Sequence, residues 1–144
     1  MDASSKIIPT LPAVDIKRAK RFYQEKLGCT VNMEGPDPGA FLECAGGGLY
    51  IYQRAPSKAD HTLATFLVDD VECEVRELRA KGVKFEEYDI PSMGLKTVNG
   101  IARMGDSKSA WFKDSEGNIL GITQVAKVGR STKHVVREKV GARR

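Results

Sequence analysis

Histidine is nearly missing from this 144-residue chain, which has only His61 and His134, and cysteine is scarce, with Cys29, Cys44 and Cys73. The cysteines are odd in number, far apart and without a CxxC pair. Neither a thiolate zinc site nor a disulfide framework is expected from them. They read as reduced, buried, small apolar residues of a reducing compartment. Long apolar runs are also lacking: none approaches the roughly 20 residues that a bilayer-spanning helix needs. The opening Met1-Asp2-Ala3-Ser4-Ser5-Lys6 carries no apolar signal core. There is no GxSxG elbow, no GxxxxGK[ST] phosphate loop, and no cysteine with an obvious histidine partner. These absences argue against a membrane role and leave a cytoplasmic protein as the expectation.

What is present suits one ordinary globular domain. Hydrophobic residues make up 41% and charged ones 29%, and the length allows a real core but not two independent domains. The formal charge of +4 is unevenly placed. Residues 127–144 hold seven cations (Lys127, Arg130, Lys133, Arg137, Lys139, Arg143 and Arg144) against Glu138, which leaves the body at −2. The expected organisation is a domain over residues 6–126, with modules at about 6–54 and 61–125, followed by a basic tail over 127–144.

Helix and strand signals repeat along the domain. Residues 6–14 read as a first strand limited by Pro9 and Pro12. Asp15 offers a cap to a helix whose apolar stripe is Ile16, Ala19, Phe22, Tyr23 and Leu27, and Gly28 closes it. Strands are expected at 29–33, 41–44 and 49–53, with a turn at Gly46-Gly47-Gly48. The plan then restarts. Residues 61–68 read as a strand, Asp69-Asp70 as a cap, and Val71, Val75 and Leu78 as a stripe closed by Gly82, with a strand over 83–88. Asp15-Ile16 and Asp70-Val71 stand 55 residues apart in equivalent places, so the chain carries an internal duplication. Neither half can cover its own sheet, whereas the pair can. Residues 91–108, rich in turn formers, read as a long loop with a short strand near 98–102, either a functional rim or a plain surface loop. Strands at 110–113 and 119–125 flank the turn Asp114-Ser115-Glu116-Gly117-Asn118.

This pattern resembles the vicinal oxygen chelate superfamily of glyoxalases, bleomycin-resistance proteins and extradiol dioxygenases. The residues that carry the likeness are Val14-Asp15-Ile16 through Phe22-Tyr23 and Leu27-Gly28, and Val68-Asp69-Asp70-Val71 through Gly82-Val83. The most specific is the segment from Ala110-Trp111-Phe112 to Asn118-Ile119-Leu120, similar to the family's terminal hairpin. The resemblance covers roughly residues 6–124. It implies an α+β fold of two βαβββ modules forming a curved mixed sheet around a cleft. In metal-dependent members, ligands come from the first and last strands of each half. Carried over by position, those places fall on Ile8, Leu63, Gly121 and one residue within 51–53. None is a ligand, and residues 49–55 and 118–126 hold no carboxylate, histidine or cysteine. His61, two residues before Leu63, is the one exception, and a lone histidine at a linker is more often simply solvated. No metal and no cofactor are therefore expected.

The resemblance to metal-free members implies a cleft that holds a ligand, often at a dimer interface. The candidate ligand-binding residues are Phe41, Tyr50, Tyr52, Phe66, Met104 and Trp111, with Tyr88 and Phe112 also available. Tyr50 and Tyr52 share one strand face, while Trp111 and Phe112 face opposite ways. Each of these aromatics taken singly is better explained as core, and only as a set do they make a partly apolar pocket. No catalytic residue is assigned. Three readings follow: a metal-free cleft binding a small, partly apolar or aromatic molecule in a homodimer; a lyase- or isomerase-type enzyme with a non-standard site drawing on Tyr50, Tyr52, Glu43 or His61; and an adaptor using the basic tail. Nucleic acid is disfavoured because the tail has no aromatic residue for base stacking.

Overall fold

The structure, a computed structural model, describes residues 1–34 and 38–125. The basic tail and most of the turn ahead of Gly39 therefore lie outside the described residues. The first half runs β1 (Thr10–Ala13), α1 (Ile16–Leu27), β2 (Thr30–Glu34), β3 (Ala40–Cys44) and β4 (Gly47–Gln53). The second runs β5 (Thr62–Leu67), α2 (Val71–Ala80), β6 (Asp89–Ile90), a 3-10 turn (Pro91–Met93), β7 (Leu95–Val98), β8 (Ile101–Met104), β9 (Ser107–Lys113) and β10 (Ile119–Gln124). Two sheets result, ordered β1-β4-β3-β2 and β5-β10-β9-β8-β7-β6. In each, the half's first strand lies parallel to its last, and the other pairs are antiparallel. The fold is α+β, as expected.

Local chemistry explains both helices. Asp15 and Asp70 are extended N-caps whose side chains accept from Arg18 N and Cys73 N, each at 3.1 Å. Gly28 ends α1 at φ +69°, a left-handed conformation that only glycine adopts cheaply. Ile16, Ala19 and Tyr23 of α1 are buried against Leu11, Leu42 and Ile51, and Val71, Val75 and Leu78 of α2 against Phe112, Leu120 and Ile122. The alternation along β3 and β4 is strict: Ala40, Leu42, Leu49 and Ile51 are buried, while Phe41, Tyr50 and Tyr52 are half-buried on the other face.

The duplication is also visible at the helix ends. Lys26 Nζ donates to Lys81 O at 2.6 Å and Lys81 Nζ to Lys26 O at 3.5 Å, a reciprocal exchange between residues 55 apart. A second contact between the halves is not symmetric. The β9–β10 turn reaches across to α1, where Glu116 accepts from Val14 N, Asp15 N and both Arg18 Nε (2.7 Å) and Nη2. Beside it, buried Tyr23 donates its hydroxyl to Asp114 Oδ2 at 2.6 Å, and Asn118 Nδ2 donates to the same oxygen and to Pro12 O.

Three expectations are corrected. Residues 83–88 do not form a strand: Phe85 makes one isolated bridge to Phe112, and Glu86 N donates to Trp111 O. The reason is that β8 already occupies the same edge of β9, from Ser107 to Ala110. Residues 91–108 are not a long loop but two hairpins, with Asn99-Gly100 (φ +52° and +81°) joining β7 to β8 and Gly105 (φ +60°) leading from β8 to β9. Their glycines are tight-turn residues serving paired strands. Finally, Cys29 and Cys44 are not reduced: they form a disulfide, and Cys73 is the free cysteine. The β2–β3 register sets Thr30 opposite Glu43, so one step along the same ladder brings the two cysteines face to face.

Candidate functional site

Each sheet has one face covered by its helix and one face left open by the described residues. The open face of the first sheet carries Thr10, Pro12, Phe41, Glu43, Tyr50 and Tyr52, because the alternate residues point at α1. Phe41 and Tyr50 are cross-strand neighbours with ring centroids 4.6 Å apart. A recess of about 510 Å³ lies on this side of the sheet, with Ile7, Ile8, Asn32, Phe41, Glu43 and Gly48 among its walls. That volume is within the range of small-molecule sites.

The open face of the second sheet carries Thr65 and Leu67 of β5, Gly121 and Thr123 of β10, and Ser109 and Trp111 of β9. Trp111 is half-buried, and Tyr88 stands edge-on to it with centroids 5.5 Å apart. Burial, with Glu86 nearby, pushes the Tyr88 phenol above its ordinary pKa, so it stays neutral and able to donate. Ser109 and Thr123 hydroxyls bond each other at 2.9 Å. Lys113, the cation at the end of this strand, is paired with Glu86 at 3.4 Å.

The structure brings Phe41, Tyr50 and Tyr52 together and sets Trp111 on the other sheet. Phe66 packs against the core and lines two cavities between the halves, of about 400 and 280 Å³. Met104 ends β8 with 46% of its surface exposed. Phe112 is fully buried on the helix side against Phe85, the opposite face from Trp111, as alternation requires. His61 is exposed in the bend before β5, its Nδ1 3.3 Å from Thr62 O. Sequence reasoning missed Thr65 and the recess walls Ile7 and Asn32. A glycine inside an apolar strand was the one available signal that something approaches β10 closely.

The metal-ligand positions can now be placed by pairing. Thr10 and Thr65 are 55 apart and pair with Tyr50 and Gly121, so the last-strand position of the first half is Tyr50, one residue before the 51–53 expected. Ile8, which precedes β1, and Leu63 offer no donor atom. At Gly121, an added Cβ would meet Thr65 Oγ1 at 3.2 Å and Trp111 Nε1 at 3.3 Å, so the space of a ligand side chain is already taken. Among the described residues no group of three or more His, Cys, Asp or Glu could hold an ion. The residues present do not fit the metal of the metal-dependent relatives.

No curated protein matches this chain. Among solved structures it is similar to the fosfomycin resistance protein FosX from Listeria monocytogenes (18% identity, 92% of this chain and 99% of that one, TM-score 0.63). It is also similar to lactoylglutathione lyase from Agrobacterium tumefaciens (20% identity, 85% and 96%, TM-score 0.62). A mutant of the Listeria FosX, seen complexed with Mn(II), is 17% identical over 84% of this chain and 90% of that one, with TM-score 0.59. Identities this low show the fold alone. The match of residues 8–122 to a family model does more: with two halves that each open strand–helix and pair their first strand with their last, it establishes that the chain belongs to the Glyoxalase/Bleomycin resistance protein/Dioxygenase superfamily.

Proposed function

We propose that the open sheet faces bind a small, partly apolar or aromatic molecule without a metal and hold it without turnover, for sequestration, resistance or sensing. The observation that carries this reading is the substitution at the ligand positions. Ile8, Leu63, Tyr50 and Gly121 stand where metal-dependent relatives place donors, while Phe41, Tyr50, Tyr52 and Trp111 supply aromatic surface on the same faces. Two copies complete the cleft, the first sheet of one facing the second sheet of its partner. Exposed Met33 and Leu67, at 59% and 61%, are apolar side chains that such a contact would cover.

Native mass spectrometry on protein purified without chelators tests this. A dimer at bare mass, or carrying a stoichiometric organic molecule, is the expected result. A stoichiometric divalent metal would overturn it. The enzymatic reading has one observation in its favour, since Glu43 is among the residues that line the recess of about 510 Å³ beside Phe41. Turnover of a bound compound that is lost in Glu43→Gln, with folding intact, would establish that reading instead.

A further inference from the structure

We infer that the cavity of about 400 Å³ between the halves is the docking site of the chain's own basic segment, residues 126–144. This surface lies on the helix side of the second sheet, so the inference stands apart from the open-face binding proposed above.

The starting point is where the chain leaves the domain. β10 ends at Gln124, whose Oε1 accepts from Val71 N at 3.0 Å, and Thr123 O accepts from Val68 N at 2.9 Å. Val68 and Ile122 are themselves walls of the cavity, so the last described residue, Val125, stands close to its rim. From there the cavity follows α2 as far as Lys81 and meets the end of α1 at Lys26 and Leu27. The 10 residues of α2 span about 15 Å. Residues 126–144 can reach about 60 Å when extended, which is ample.

The chemistry of the two surfaces matches. Leu27, Phe66 and Val68 are only half-buried in the cavity, leaving apolar area that no described residue covers. Four charged residues line it, and they are not equivalent. Lys26 and Lys81 turn their ammonium groups onto each other's backbone carbonyls. Glu74 and Glu77, about one helical turn apart on α2, have no ion pair among the described residues, and Glu77 receives only the Cys73 thiol at 3.7 Å. Glu72, by contrast, is already paired with Arg103 and Lys108. Such a surface selects an occupant that carries cations and apolar side chains together. Residues 126–144 hold seven Lys and Arg against Glu138, interleaved with Val128, Val135, Val136 and Val140. A tail that is only solvated has no use for those valines. Exposed ion pairs are individually weak, but a tethered segment meets its site at a millimolar effective concentration, so weak contacts suffice. Docked there, the segment would bridge α2 to the end of α1 and close the seam between the halves.

A water-soluble carbodiimide joins a carboxylate to a lysine amine only where the two are in contact, so it reads the pairing directly on the full chain. Linked peptides should connect Lys133 or Lys139 to Glu74 or Glu77; Lys127 is too near the tether to be informative. In 1 M NaCl, where the Debye length is about 3 Å, the links should fade. Glu74→Lys/Glu77→Lys should lower their yield about 10-fold. Lys133→Glu/Lys139→Glu should do the same, and all four substitutions together should restore the link with the charges exchanged. Glu74 is half-buried and Glu77 exposed, so circular dichroism should be unchanged; Glu77→Lys alone serves if the double variant does not fold. The methyl resonances of Val68, Leu78 and Ile122 report occupancy independently and should move in Val135→Ser/Val136→Ser. Mixing unlabelled and nitrogen-15-labelled chains separates the occupants. Links within one label support self-docking, whereas links between labels assign the site to a second copy and overturn the inference. Absent links with unmoved methyls, or links that survive both charge reversals, would overturn it as well.

Discussion

The two halves share a plan but treat their open faces differently. At the position pairing with Thr10 the first half has Tyr50, stacked on Phe41 beside a recess; at the position pairing with Thr65 the second has Gly121, overlaid by Trp111. Meanwhile the aspartate caps and the Lys26–Lys81 exchange stay equivalent. The difference teaches where the fold is determined. Residues that point at the helices and cap them hold the architecture, whereas open-face residues are free to carry different chemistry in each half. A second contrast runs alongside it. The start of α1 is held by Glu116 from the other half, but the start of α2 by Gln124 from its own, whose side chain accepts from Val71 N at 3.0 Å.

The contrast is broken most severely at the clasp between halves. Asp114→Ala would leave the buried Tyr23 hydroxyl without its acceptor and take from Asn118 Nδ2 one of its two, Pro12 O remaining, at about 4 kcal/mol for two unsatisfied N–H or O–H hydrogens. Urea unfolding at neutral pH would show this as a large fall in midpoint; a fall under about 1 kcal/mol would mean the clasp is incidental. Opening the Cys29–Cys44 bridge, which the second half lacks, comes next. Its sequence separation of 15 corresponds to about 3 kcal/mol of unfolded-chain entropy. The comparison is urea midpoints of the wild type with and without dithiothreitol, with Cys29→Ser/Cys44→Ser insensitive to it.

The third test uses pH. Burial alone would raise the Glu116 carboxyl, but hydrogen bonds from Arg18, Asp15 N and Ser115, with the Arg18 charge, hold it down at about 2 against an ordinary 4.5. A depressed carboxylate stabilises the fold above its unfolded pKa. That contribution is therefore complete above roughly pH 5 and drains away as pH falls through 4.5 toward 2. Stability measured from pH 6 to pH 3 should decline less steeply in Glu116→Gln than in the wild type, from a lower start. The smallest effect is expected in the second half: Gln124→Ala removes one acceptor at the start of α2, for about 1 kcal/mol. Equal losses for Glu116→Gln and Gln124→Ala at pH 7 would erase the asymmetry.

Much of this was legible beforehand. The helix stripes, their aspartate caps, Gly28 and the 55-residue repeat follow from spacing, because a helix face and a cap are local. The opposite orientation of Trp111 and Phe112 follows from the period of two. Glycines misled where their role depends on what they join: Gly94, Gly100 and Gly105 read as loop, yet two of them turn hairpins between short strands, β7 and β8 being only 4 residues each. The cysteine pairing was hidden for a related reason, since Cys29 and Cys44 meet only once the β2–β3 register is known.

By itself the sequence determined the two capped helices, the 55-residue repeat and the family, because these depend on residue identity and local period. Only the tertiary structure decided that Glu116 clasps α1, that Cys29 bonds Cys44, and that Trp111 lies over Gly121 beside Thr65. Each of those depends on strand register and on the direction of side chains far apart in the chain, which no local pattern encodes.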